Sequence, residues 1–325
     1  MSKRTHRART RNQSSSESLS FDDKHETAEI PVKAKGKAIH RLLNWNEIPE
    51  WQRDNEYIIS GYRGELNSLK KCLSSAFTYL HNETVNIQSH WIGGLLFISI
   101  WIYHLRSVFR QHSASINVMD ELFMALFMTG ALICLFLSGA FHTMSCHSKP
   151  IHDVFHRLDY AGIVILTVGS FYPAVYYGYY CDPKMASFWL AVLTITGAST
   201  AYIVLSPTYA TPAYRRTRAY LFIALGLSGA LPVLQLLITE GYSHLELIGI
   251  NWLLLSAALY IGGALLYSER FPERFWPGSF DLLGASHQIF HVCVVFAAIC
   301  HYISMLWGIE FWHGTHQGKC ASFRT

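Results

Sequence analysis

Charge is what this sequence has least of. Only 15% of its 325 residues are Asp, Glu, Lys or Arg, while 51% are hydrophobic. Soluble domains carry about a quarter charged residues, so an ordinary water-soluble fold is excluded and a lipid environment is indicated. A leader is missing too: Met1 to Lys37 is polar and contains no apolar stretch of the kind a cleaved signal peptide needs. The first membrane span is therefore expected to do the targeting. The seven cysteines form no C-x-x-C pair and are odd in number, which argues against a disulfide framework and against a thiolate metal site. Cys134, Cys293 and Cys300 lie in apolar runs and read as small packing residues.

What charge there is gathers at one end. Residues 1–80 hold 14 of the 26 Lys and Arg. Residues 1–40 read as a disordered, solvated basic tail with serines at 14, 15, 16 and 18 open to phosphorylation. The alternative is a segment drawn to anionic cytoplasmic lipid. No nucleic-acid partner is expected. Residues 41–86 read as a cytoplasmic juxtamembrane segment in which Leu69, Leu73, Phe77 and Leu80 recur at helical spacing, as in an amphipathic helix lying on a membrane.

Seven apolar runs follow, near 87–108, 122–142, 158–180, 186–205, 219–238, 247–267 and 286–308. Each suffices to cross a hydrocarbon layer of about 30 Å, which takes roughly 20 helical residues. Lipid leaves no backbone group unsatisfied, so an all-α, seven-span bundle over 87–308 is predicted, followed by a C-terminal tail at 309–325. Lys and Arg in the connections, together with the basic N-terminal region, put the N-terminus in the cytosol and the C-terminus outside or in a lumen. On that orientation the sequons at Asn12 and Asn82 stay unglycosylated. The sequence leaves open the plasma membrane or the endoplasmic reticulum, and the oligomeric state.

The polar residues inside this apolar body converge. Ser138 and His142 sit four apart at the end of the second run, Asp159 opens the third, and His287 and His291 sit four apart at the start of the seventh. With seven crossings these three points lie on one side of the membrane, whichever side that is. An i, i+4 pair can turn two imidazoles toward one ion, and a third from another helix completes a three-histidine zinc set with a position left for water. Ionisable groups at membrane depth are costly, so they point to function. His147, His152 and His156 read as solvated residues of the loop between the second and third spans. His301 reads as a helix–helix contact deep in the seventh span, and His313 and His316 lie at the opposite face.

The residues resemble the progestin and adipoQ receptor family, which includes adiponectin receptors, haemolysin-III-like proteins and fungal zinc-homeostasis proteins, and the wording is most similar to the fungal branch. The resemblance runs from about Trp45 to Tyr302. It is carried by Glu47-Ile-Pro-Glu-Trp-Gln-Arg-Asp-Asn-Glu-Tyr57, His81-Asn-Glu-Thr-Val-Asn-Ile87, Ser138 with Phe141-His-Thr143, Leu158-Asp-Tyr-Ala-Gly162, Arg270-Phe-Pro-Glu-Arg274 with Pro277-Gly278, and Ser286-His-Gln-Ile-Phe-His291. It implies seven helices, a cytoplasmic N-terminus, and zinc held by His142, His287 and His291, with Asp159 approaching the zinc-bound water and Ser138 beside the site. It also implies ceramidase activity and a part in zinc, sterol and lipid homeostasis signalling.

The chemistry expected is zinc-dependent hydrolysis of a ceramide-like lipid amide, with a ceramide-like or sterol-like membrane lipid as partner. Asp159 serves as general base and Ser138 as donor to the developing oxyanion. A non-catalytic receptor with structural zinc, sensing an extracellular ligand, is the second reading. A zinc transporter is the third, because transporter sites usually lie at mid-membrane rather than near one face.

Overall fold

The computed structural model describes residues 41–209 and 211–320. The tail at 1–40, its serines and the Asn12 sequon fall outside them.

Segment 41–68 is mostly irregular and is pinned by an isolated antiparallel bridge between Leu43 and Tyr62. Helix α1 (Leu69–Thr78) follows, its first turn capped by the Ser68 side chain, which accepts from the Lys71 N–H. Its buried side holds Cys72, Ser75 and Ala76. Leu69, Leu73 and Phe77 point away from the protein, with Phe77 68% exposed, as a helix resting on lipid requires.

Seven helices long and apolar enough to cross a membrane come next: α2 (Thr84–Gln111), α3 (Val118–Met144), α4 (Lys149–Gly178), α5 (Pro183–Val204), α6 (Pro212–Thr239), α7 (Ile250–Glu269) and α8 (Ser286–Thr315). Among the described residues the regular structure is otherwise helical, so the all-α reading holds. The starts follow local chemistry. Asn117 and Asp120 close a capping box on α3, and Asp182 caps α5 just before Pro183. Helix α6 is broken near Gly229 and continues through Pro232.

Helices α3, α4 and α8 are the most buried of the seven and form the middle of the bundle. A core of Phe97, Phe127, Met128, Leu135 and Ala298 lies among them and α2. The α3–α4 crossing is close because of glycine. A Cβ on Gly162 would meet the Cys134 backbone at 2.9 Å, and one on Gly169 would meet the Leu126 carbonyl at 2.9 Å. Small residues at a membrane crossing let backbones touch, which here sets Asp159 of α4 against the end of α3. Outward positions such as Leu95, Ile195 and Ile238 are exposed apolar side chains, a surface suited to lipid rather than water.

Two expectations need correction. The third span begins at Lys149, nine residues before the apolar run, so His152 and His156 belong to a helix and not to a loop. They are half-buried rather than fully solvated: both rings pack on Phe141, and His156 is hydrogen-bonded to the Tyr160 hydroxyl. The second correction concerns cysteine. Cys181 and Cys320, 139 residues apart, form a disulfide at the end of the bundle away from the histidine cluster. The other five are free thiols, of which Cys72 and Cys146 face each other at 3.8 Å.

Candidate metal centre

His142 stands on the last turns of α3, and His287 and His291 on the first two turns of α8. One ring nitrogen from each lies within 4.8 Å of the others, the spacing from which three imidazoles can reach one ion. His142 and His291 are each 2% exposed, and His287 is partly open to a cavity.

The rings are oriented by groups behind them. The Glu83 carboxylate accepts from His142 Nδ1 at 2.6 Å. His142 Nε2 is left buried with no hydrogen-bond partner among the described residues. His291 Nδ1 lies 3.2 Å from the Asn86 carbonyl, which can only accept, so Nδ1 carries the proton and Nε2 keeps its lone pair. A carboxylate or carbonyl behind a histidine is the usual support of a metal-binding imidazole, fixing its tautomer and raising its basicity. An orphaned ring nitrogen in a dry site is otherwise costly, so this donor set fits a borderline cation such as zinc. Glu83 also accepts from Asn86 Nδ2 at 2.8 Å. Burial pushes its carboxyl up, but the facing His142 outweighs that and holds it below the usual carboxylate range.

Further out, Arg63 fixes the helix end that carries His142. Its guanidinium, 4% exposed, donates to the carbonyls of His142 at 2.6 Å and Thr143 at 3.2 Å, and to the hydroxyls of Ser75 and Ser145. These are carbonyls that a helix C-terminus leaves unpaired, and a cation there also complements the helix dipole. Glu273, fully buried, plays the opposite part at the start of α8. It accepts from the N–H and hydroxyl of Ser286, the residue before His287, and from the Asn55 side-chain amide. His90 of α2 stacks on His291 with ring centres 3.8 Å apart, and its Nε2 lies 3.3 Å from the His291 carbonyl.

Asp159 and Ser138 line the same cavity as the three histidines. They are 8% and 2% exposed, and the serine stands beside the aspartate across the α3–α4 crossing. All five residues singled out in the sequence are thus brought to one place. Glu83, Asn86, Arg63 and His90 were not singled out. The first two stand inside the His81-Asn-Glu-Thr-Val-Asn-Ile87 motif, which was the available signal.

The cavity has a volume of about 790 Å³. From the histidines it runs along an apolar wall that includes Leu166, Phe171, Phe222 and Val294. Leu227 of α6 and Leu254 of α7 also line it, and both are about half exposed on the outer face of the bundle, so the cavity reaches the lipid-facing surface between these helices.

Comparison with known proteins agrees with this architecture. The profile of haemolysin-III-related proteins matches residues 78–302. The adiponectin receptor protein of Drosophila melanogaster is 39% identical over 278 residues, covering 85% of this chain and 62% of the fly protein. The ADIPOR-like receptor IZH2 of Saccharomyces cerevisiae is 41% identical over 285 residues, covering 87% of this chain and 88% of the yeast protein. The heptahelical transmembrane protein 4 of Arabidopsis thaliana is 35% identical over 355 residues, with 85% and 92% covered. The chain therefore spans about three-fifths of the fly relative but nearly all of the yeast one. With seven helices, one histidine cluster and these likenesses in hand, the chain belongs to the haemolysin-III-related family of seven-span membrane proteins, and within it is adiponectin-receptor-like.

Proposed function

We propose that this protein is a zinc-dependent hydrolase of a ceramide-like lipid amide, held in the membrane with its histidine cluster on the cytosolic side. One observation carries the reading: three imidazole nitrogens within 4.8 Å of one another open, beside Asp159 and Ser138, into a large apolar cavity that reaches the bilayer. A soluble substrate would have no use for a lateral opening lined by Leu227 and Leu254, whereas an acyl chain can slide through it.

His142, His287 and His291 would hold the zinc, with Glu83 and the Asn86 carbonyl keeping two of the rings in the binding tautomer. When bound, the ion supplies Lewis acidity and lowers the pKa of a coordinated water from 15.7 to about 7. Asp159 takes a proton from water in the cavity and later returns it to the leaving amine, the work of a general base that becomes a general acid. Ser138 presents its hydroxyl to the oxygen on which charge develops. The apolar wall orients the acyl chain and keeps bulk water out.

Orientation has two supports. The basic residues favour a cytosolic N-terminus. Disulfides persist on the oxidising side of a membrane, and Cys181–Cys320 lies at the end opposite the histidines. The test is release of fatty acid from ceramide by the purified full chain. Release that stops with chelation and with Asp159→Asn supports hydrolysis. Release that survives either one refutes it.

A second reading, ligand sensing with structural zinc, draws on the relatives whose names call them receptors. It predicts that Asp159→Asn keeps both zinc and signalling.

A further inference from the structure

Cysteines meet at both ends of the bundle, but only one of the two pairs is joined. Cys181 and Cys320 form a disulfide at the end away from the histidines. Cys72 of α1 and Cys146 of the α3–α4 turn remain thiols, although their sulfurs are 3.8 Å apart. They are 0% and 2% exposed, in a small cluster with Met144, Leu66 and Phe155.

The backbones that carry them are tied together. The Leu66 and Asn67 N–H groups donate to the Cys146 and His147 carbonyls, each at 2.9 Å, just before Ser68 caps α1. The Arg63 guanidinium joins α1 to the end of α3, donating to the Ser75 hydroxyl and to the carbonyls of His142 and Thr143. A disulfide needs sulfurs about 2.05 Å apart, so each must move by roughly 1 Å, a shift that side-chain torsions can supply.

The chemistry favours the same bond. The hydrogen bond from Cys146 draws the Cys72 thiol down, helped by the Arg63 charge and opposed by burial. Cys146, the donor in that bond, is pushed up. The pair therefore gives up one proton readily and shares the other between two sulfurs. The thiolate is the reactive form, and a shared proton makes it available at either one. Cys146 also lines the large cavity beside Ser145 and Lys149. The Lys149 side chain is 61% exposed, so the mouth of the cavity gives small solutes a way from water to Cys146.

We propose that Cys72 and Cys146 are a reversible redox site that takes hydrogen peroxide and closes to a disulfide, stapling α1 to the α3–α4 turn. The Cys146 sulfur attacks the peroxide: an S–O bond forms, the O–O bond breaks, and one water leaves. Cys72 then attacks the resulting sulfenic acid, the S–S bond forms, and the hydroxyl leaves as a second water. Two electrons pass from the sulfurs to the peroxide oxygens, and each water carries away one thiol proton. On the proposed orientation the pair faces the cytosol, whose thiol reductants return it to the open form by exchange.

The test treats the purified full chain with hydrogen peroxide, alkylates the remaining thiols after denaturation, and maps the cysteine peptides by mass spectrometry. A peptide pair joining Cys72 to Cys146 is expected at peroxide doses that leave Cys293 and Cys300 open to alkylation. A dithiol reductant restores both thiols, and Cys72→Ser or Cys146→Ser abolishes the pair. The treated wild type should melt at least about 4 °C above the untreated, because the link closes a long loop in the unfolded chain. Cys146→Ser should show no such rise. Thiols that stay open to alkylation, sulfinic acid in place of the link, or Cys146 joined to a second copy would each overturn the proposal. So would a link that leaves the thermal midpoint where it was.

Discussion

His142 and His313 sit at opposite ends of the bundle and are both buried, but their ring nitrogens are treated differently. His142 gives one nitrogen to Glu83 and keeps the other bare among the described residues. His313 has both engaged, Nε2 with Asp120 at 2.9 Å and Nδ1 with the Ser115 hydroxyl at 3.2 Å. The surroundings repeat the contrast. Around His313, Trp312 stacks on Tyr180 and donates to the Tyr177 carbonyl, and the disulfide Cys181–Cys320 ties the chain end to the α4–α5 turn. Around His142, a large cavity begins. At the far end His313 gives both ring nitrogens to neighbouring side chains and acts as a clamp. The other end holds polar groups in place while leaving bonding capacity over, which is what a site does.

This contrast can be broken by substitution, and the largest effect belongs to the cavity end. Asp159→Asn keeps the shape of the side chain but removes its basicity, and should lower ceramide hydrolysis about 10²–10⁴-fold while zinc content stays at the wild-type level. Loss of zinc in that variant would make Asp159 a ligand instead. Next comes the clamp. Cys320→Ser opens a 139-residue loop and should cost about 2–4 kcal/mol, read as a fall in thermal midpoint, with no change in zinc content. A smaller effect sharpens the site: Glu83→Gln leaves His142 in place but weakens its support, so zinc affinity by chelator competition should fall about 10–100-fold. If Cys320→Ser lost zinc and Glu83→Gln did not, the division of labour between the ends would be reversed.

The sequence alone carried the seven helices and the convergence of five polar residues on one cavity, for reasons that also explain the misses. Apolar length reports where a helix meets lipid, not where it starts, so the charged turn Lys149 to Arg157 was read as a loop although it is helical. Histidines four apart on apolar helices were visible because their spacing is local. Arg63 and Glu83 act through contacts 79 and 59 residues away, and nothing in their own neighbourhood announces His142. His90 diluted the first apolar run and so counted against a span, though it stacks on a ring of the site. Cys181 and Cys320 carry no spacing signature, and only the fold brings them together.

The most direct test of the central claim is metal analysis of the purified full chain beside four single variants. On the proposed reading the purified wild type carries zinc, His142→Ala, His287→Ala and His291→Ala each lose it, and His313→Ala keeps it. Zinc retained at the wild-type level by the three cavity-end variants would contradict the account, as would a wild type free of zinc when purified without chelator.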